Sequence, residues 1–331
     1  MPALKIISPG FLTTVQDLGR FGFAHLGVPP AGAADRCALL LGNVLVNNEG
    51  NTSALEMTLI GGTFEFEADG QIAITGADCD PVIDGQQVPQ WTAMAVRPGQ
   101  TLKCGAIKSG ARAYLCINGG IQVPKVMGSA ATHLQAGIGG WHGRQLQKGE
   151  VLSIAEMRVG VAFRPRTVRS DLTSYVRERS ILRATLGPQR DFFSQDLLSL
   201  FSSTPYIVSE SSNRVGLRLR GEAIIKENPA EIITEGISLG AVQVPADGQP
   251  IILFVEHPTT GGYPKIANVI SADWCRVGQL RPRDVVRFQF VSLDEAHRLL
   301  RQQHEQFMQA CRPVTQHSCC MIEISSRRSS T

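Results

Sequence analysis

The chain has 331 residues, 43% hydrophobic and 18% charged, the make-up of a globular protein long enough for one large domain or two ordinary ones. Its net charge of +3, from 32 basic and 29 acidic residues, excludes the electrostatic footprint of a nucleic-acid binder. Aromatics stand at only 6% while glycine (33) and proline (18) are frequent, which suits many short strands joined by turns.

Leu4-Lys5-Ile6-Ile7 alternates as a first strand ahead of Ser8-Pro9-Gly10. A dense polar loop is expected next, from Thr13 through Gln16-Asp17-Leu18-Gly19-Arg20 to Gly32 and Asp35; so long a polar stretch is costly to order unless it wraps a site or a core edge. Asp35 is placed to cap a helix carrying Ala38, Leu39, Leu41, Leu45 and Val46, which Asn47-Asn48 ends. Residues 54–151 read as β, with alternating runs at Thr63–Glu67, Gln71–Ile74 and Ala113–Ile117 punctuated by Asp69-Gly70, Asp84-Gly85, Pro98-Gly99 and Ser109-Gly110. Within this half, Gly128-Ser129, Thr132 and His133 make a small group of donors between two open glycine turns.

Residues 156–180 lose periodicity and carry Arg158, Arg164, Arg166, Arg169, Arg177 and Arg179, the pattern of a solvated basic connection between two β-rich lobes. The second half resumes with a strand at 181–184, a helix expected from Asp191 to Phe201, a strand at Tyr206–Val208 and alternation at Leu217–Arg220. Gly240–Pro245 echoes Gly119-Gly120-Ile121-Gln122-Val123-Pro124, as two related lobes would. Ser292 and Glu295 form a capping box for a last helix reaching Pro313. The expected organisation is therefore an N-terminal β lobe over 1–155, a connection over 156–180, a C-terminal β lobe over 181–291, a helix over 292–312 and a flexible tail over 313–331.

No N-terminal segment pairs a basic with an apolar stretch, and no run approaches the roughly 20 apolar residues of a membrane helix. The eight cysteines form no Cys-x-x-Cys pair, and a cytoplasmic chain with reduced thiols is expected.

Phosphate-loop, dinucleotide, His-Glu-x-x-His and Gly-x-Ser-x-Gly motifs are all missing. What the sequence offers instead is glycine-flanked polar clusters. Thr259-Thr260-Gly261-Gly262-Tyr263-Pro264-Lys265 gathers two hydroxyls, a phenol and an ammonium beside open backbone amides, between two apolar β runs. Gln16, Asp17 and Arg20 form a second cluster, Asn213 and Arg214 a third, and Glu235 stands apart in Thr234-Glu235-Gly236. Arginines suit bidentate capture of a carboxylate, and Asp17 and Glu235 could orient them or move protons; a buried Arg–Asp pair that merely joins two sheets fits each cluster as well. His25 and His257 are lone histidines, open to acid–base or structural use.

The segments Thr13–Arg20, Gly27-Val28-Pro29, Ser212-Asn213-Arg214, Glu235-Gly236, Gly240–Pro245 with Asp247-Gly248, and Thr259–Ile266 together resemble the biotin-dependent carboxyltransferase family, over about residues 4–291. That family includes the C component of bacterial ATP-dependent 5-oxoprolinase (KipA-like proteins), the second component of the allophanate-hydrolase type and part of the urea amidolyase carboxyltransferase domain. The resemblance implies a mainly β, cyclophilin-like barrel architecture in two lobes with a few peripheral helices. It also implies a complex with two further proteins, one KipI-like and one LamB/YcsF-like, that uses ATP and water to open 5-oxo-L-proline to L-glutamate. Within that reading Lys265, Tyr263, Glu235 and Asp17 are assigned to catalysis, and Gln16, Arg20, Asn213, Arg214, Thr259, Thr260, Gly261 and Gly262 to substrate, all converging on one pocket for a small lactam or urea-like molecule; no metal is expected. Two alternatives stay open: carboxyl transfer onto urea or a related amide with biotin supplied from elsewhere, and a KipA-like regulator that sequesters a KipI-like partner. The family pattern Gly-Ser-Arg-Ser/Thr-Thr is broken here by Ala130 in Gly128-Ser129-Ala130-Ala131-Thr132.

Overall fold

A computed structural model describes residues 2–155, 166–225 and 232–311. The tail with Cys319-Cys320, and Arg158 and Arg164 of the connection, lie outside the described residues.

The N-terminal half stacks two antiparallel sheets. One runs, in spatial order, β11 (Val151–Ser153), β1 (Ala3–Ser8), β4 (Thr63–Phe66), β9 (Thr101–Lys103), β6 (Val82–Ile83) and β7 (Gln86–Gln87). The other runs β2 (Leu12–Gln16), β3 (Ala54–Thr58), β10 (Ser109–Ile117), β5 (Gly70–Asp78) and β8 (Ala93–Val96). Leu4, Ile6, Phe64 and Phe66 of the first sheet meet Val15, Leu55, Met57, Ile72, Ile74 and Leu115 of the second in one core. Helix α1 (Arg36–Leu45) covers the outer face of the second sheet through Ala38, Leu39 and Leu45, against Ala73, Tyr114 and Cys116. With both faces covered, β5 and β10 are buried almost end to end, which is why their sequences read as apolar runs.

The C-terminal half is a closed barrel, ordered β12 (Ile181–Leu186), β19 (Lys265–Val269), β16 (Ala241–Gln243), β17 (Ile251–Leu253), β14 (Gly216–Arg220), β13 (Tyr206–Val208) and β20 (Val285–Phe290). Its seam is the parallel pair of β12 and β20, with Leu182 opposite Phe288. Helix α2 (Gln195–Ser203) drives Phe201 into the barrel core, where it stacks on Phe288 at 4.3 Å between ring centroids. The helix starts later than periodicity indicates, because Ser194 supplies its cap while Arg190–Phe192 forms a separate 3-10 turn. A two-residue pair, β15 (Glu235–Gly236) with β18 (Thr260–Gly261), stands outside the barrel ladder.

The two halves are locked together by polar groups. Gln279, just after the short helix α3 (Trp274–Gly278), accepts from the Ala111 and Arg112 amides at 2.9 and 3.1 Å and donates to Asp35 at 2.6 Å and to the Arg112 carbonyl at 2.9 Å. Arg112 donates to the Gly278 and Leu280 carbonyls, and the Ala31 amide donates to the Val255 carbonyl. The described part of the connection joins in: Tyr175 donates to Asp35 and Arg179 pairs with Asp284, both from buried positions. A solvated run is thus the fate of Arg169 and Arg177 but not of Arg179. The closing helix α4 (Leu293–Cys311) starts where Ser292 accepts from the Glu295 amide at 3.2 Å. Among the described residues no helix is long and apolar enough to cross a membrane.

Candidate functional site

Residues 13–16, expected in a loop, form β2, whose Thr13, Thr14 and Gln16 are almost wholly buried. At its end the chain turns through Asp17 and Arg20 into the space between the halves. Asp17 accepts from the Gly19 amide (2.8 Å), the Ser129 hydroxyl (2.6 Å) and the Ala130 amide (2.7 Å), so it fixes the 129–130 turn. Gln16 Nε2 donates to the Thr132 carbonyl at 3.1 Å and to the Thr14 hydroxyl at 3.0 Å, which fixes the amide's orientation and leaves Oε1 buried without a partner among the described residues. Arg20 is 1% exposed; Nη2 donates to the Ala131 carbonyl and Nε to the Val126 carbonyl, and Nη1 is unpaired among the described residues. Burial pulls the Arg20 guanidinium below its ordinary range, opposed by Asp17 and Glu256. His133, on the same 130–133 segment, accepts at Nδ1 from the Ala136 amide (2.9 Å) and holds Nε2 buried and likewise unpaired. Its pKa is lowered by burial first and by Arg20 and Arg214, against Glu256. Gly139, at φ +69°, is required here, since a Cβ would collide with the Ala131 carbonyl and Arg20 Nη2.

Next to this cluster lies a buried ion network. Arg214 Nε meets Glu256 and Nη1 meets Glu56, both at 2.5 Å, and Nη2 donates to the Gly32 carbonyl at 2.6 Å. Burial disfavours the Arg214 charge, but Glu56 and Glu256 outweigh it and hold the guanidinium above its ordinary range. Glu56, on β3, also accepts from the Ala34 amide (2.8 Å) and the Tyr114 hydroxyl (2.7 Å). Every side-chain nitrogen of Arg214 thus has an acceptor within the protein. Asn213 Oδ1 accepts from the Val215 and Gly216 amides, an Asx turn that aims the next residues into β14.

The remaining candidates assemble elsewhere. Lys265 at the start of β19, its side chain 4% exposed, pairs with Glu235, which is 44% exposed. Gln189 donates to the same Glu235 oxygen at 2.6 Å and accepts from the Lys265 amide at 3.2 Å. The Lys265 ammonium, then the Gln189 amide, hold the Glu235 carboxyl below its ordinary range. Thr260 and Gly261 pair with Gly236 and Glu235, while the Thr259 and Gly262 carbonyls accept from the Ile237 and Ile232 amides, both at 3.0 Å. Tyr263 is 41% exposed, and its carbonyl accepts from Gln243 at 3.4 Å.

The structure therefore brings Gln16, Asp17, Arg20 and Arg214 together and gathers Glu235, Lys265 and the Thr259–Tyr263 turn in a second place. Among the described residues no hydrogen bond or ion pair joins the two groups. His25 is exposed, and His257 is buried with Nδ1 donating to the Pro258 carbonyl at 2.7 Å. Sequence reasoning missed Glu56, Glu256 and Tyr114. A carboxylate in the apolar strand Ala54-Leu55-Glu56-Met57 was a usable signal, because a buried acid needs a cation somewhere. Among the described residues no cluster of three or more His, Cys, Asp or Glu could hold a metal.

Comparison with known proteins adds to this geometry. Residues 26–290 match the family model for the carboxyltransferase domain, subdomain A and B. The C component of the 5-oxoprolinase of Escherichia coli K12 is 40% identical over 308 residues, spanning 92% of this chain and 97% of that protein. Its namesake from Haemophilus influenzae is 37% identical over 289 residues, spanning 87% and 91%. The solved urea carboxylase of Kluyveromyces lactis superposes with a TM-score of 0.88 at 31% identity, covering 93% of this chain but 29% of that longer one.

Proposed function

The chain belongs to the carboxyltransferase-domain family, subdomains A and B, and from that membership we propose that it is the C component of an ATP-dependent 5-oxoprolinase. The observation that carries the reading is its end-to-end match to proteins of that name, of which it spans 97% and 91%, against 29% of the urea carboxylase. The complex would open 5-oxo-L-proline to L-glutamate together with a KipI-like and a LamB/YcsF-like partner.

In this reading Arg20 and Gln16 bind substrate, because each is buried with one polar atom unspent. Leaving such atoms unsatisfied costs roughly 1–3 kcal/mol each, which a ligand that pairs with them returns. Asp17 holds the 129–130 turn beside these groups, Arg214 has its own bonding filled by Glu56, Glu256 and Gly32, and the exposed Asn213 orders the turn into β14. Lys265 is the electrostatic catalyst: Glu235 pairs with its ammonium, and Gln189 fixes that carboxylate while accepting from the Lys265 backbone amide, which leaves a fixed positive charge for negative charge that develops in the reaction. Tyr263 and the turn Thr259-Thr260-Gly261-Gly262 border that group and supply further donors.

The complex uses ATP, and no Walker-type loop is present in this chain; the amide end of α1 is filled by the Asp35 carboxylate and that of α2 by the Ser194 hydroxyl, and no step here runs through the nucleotide. Carboxyl transfer onto urea with biotin carried elsewhere is the second reading, favoured by the urea carboxylase likeness.

Reconstitution decides between them. The full chain with its KipI-like and LamB/YcsF-like partners should release glutamate from 5-oxoproline in the presence of ATP, and omission of this chain should abolish release. Three folded proteins that together release none would overturn the proposal, and release by the two partners alone would leave the chain a regulator.

A further inference from the structure

Among the described residues, three buried polar atoms of the inter-lobe cluster have no partner: Gln16 Oε1, Arg20 Nη1 and His133 Nε2. They belong to side chains that hang on one short segment, since Gln16 and Arg20 are anchored to the Thr132 and Ala131 carbonyls and His133 follows directly. Their hydrogen-bonding character is fixed by what the rest of each group does. The Ala136 amide donates to His133 Nδ1, so the neutral ring carries its proton on Nε2 and presents a donor. The Thr132 carbonyl needs the Gln16 NH2, so Oε1 presents an acceptor. Arg20 Nη1 presents a charged donor. The set is thus a neutral donor, a neutral acceptor and a cationic donor, already desolvated on folding.

A small ring amide with a carboxylate offers the complement of that set: a carbonyl oxygen, an N–H on the same ring edge, and an anion. We infer that His133 is a substrate-contacting residue, its Nε2–H donating to the carbonyl of a carboxylate-bearing cyclic amide whose N–H meets Gln16 Oε1 and whose carboxylate meets Arg20. The inference rests on the lactam substrate class proposed above and adds the residue that reads the amide oxygen. No other group assigned in this cluster does this: Asp17 is acceptor only, and Arg214 is committed to Glu56, Glu256 and Gly32. His133 acts here as a hydrogen-bond donor, and no proton leaves it.

The test compares ligands and variants in the complete assembly with both partner proteins, without ATP, by calorimetric titration. Wild type should bind 5-oxo-L-proline at least about tenfold tighter than L-proline, which lacks the carbonyl, or 2-pyrrolidone, which lacks the carboxylate. His133→Leu should weaken 5-oxoproline about tenfold or more while changing L-proline little, and His133→Gln, which restores a donor, should recover most of the loss. If His133→Leu fails to assemble, the wild-type ranking decides alone. Wild type that does not distinguish 5-oxoproline from L-proline, or a His133→Leu variant that binds 5-oxoproline as wild type does, overturns the inference. With ATP added, His133-dependent binding without glutamate release would keep this site and discard the proposed activity. Glutamate release with binding indifferent to His133 would do the reverse.

Discussion

The inter-lobe cluster and the Lys265 group are both polar and both collected from distant parts of the chain, yet they are built in opposite ways. Around Arg20 and Arg214 nearly every donor and acceptor is buried and paired, across Glu56, Glu256, Tyr114 and the 129–133 segment. Around Lys265 the partner Glu235 is half exposed, the supporting strands are two residues long, and Tyr263 stands in solvent. The first is fixed when the chain folds and can present atoms rigidly to a small ligand. The second has fewer bonds to break and can rearrange around a substrate or partner protein. The comparison teaches that stability and turnover should be separable here by mutation.

The largest effect expected is on the buried side. Glu56→Ala strands the Arg214 charge, with 5% and 1% exposure of the arginine and glutamate side chains, and should destabilise the chain by about 3–5 kcal/mol in urea unfolding. At the other region Lys265→Met should lower kcat of the complete assembly about 10²–10³-fold. Its unfolding free energy should move by less than about 1 kcal/mol, because Glu235 is free to rehydrate.

Asp35 sharpens the contrast through pH. Burial lifts its carboxyl from 3.8 to about 6, against bonds from Gln279, Ala38 and Tyr175. A raised folded-state pKa means that the native protein holds a proton the unfolded chain has released, so this contribution is full below pH 3.8 and is lost as pH rises through about 6. Unfolding measured at steps from about pH 4 to 6.5 should show a decline of up to roughly 1.4 kcal/mol per unit from this group, absent in Asp35→Asn. Gly139→Ala should cost about 1–3 kcal/mol from the left-handed backbone and the crowding of Arg20 and the Ala131 carbonyl. Unlike Lys265→Met, it should weaken ligand binding along with stability.

Much of this was legible in the sequence. Period-two runs at Thr63–Phe66 and in Gly70–Asp78 located strands, and Asp35 and Ser292 located helix starts through their caps. The two-lobe β reading and the barrel follow from the same patterns and the family likeness. What stayed hidden was polar burial. Thr13–Gln16 looked like a loop because its threonines and glutamine are hydrophilic, and they are interior because each finds a partner: Thr13 the Pro9 carbonyl, Thr14 the Gln16 amide nitrogen and Gln16 the Thr132 carbonyl. Glu56 and Arg214 are 158 positions apart, so neither could announce the other. The echo between Gly119–Pro124 and Gly240–Pro245 also divides: Ala241–Gln243 is a barrel strand, whereas both glycines of the first copy sit in a left-handed turn and Ile121 makes only an isolated bridge.

Steady-state kinetics of the complete assembly on 5-oxoproline, run side by side for His133→Leu and Lys265→Met, probe the division of labour most directly. The account predicts that the histidine variant raises KM about tenfold with kcat nearly kept, and that the lysine variant lowers kcat with KM nearly kept. Two variants that shift the same parameter, or that change only the melting temperature, would contradict it.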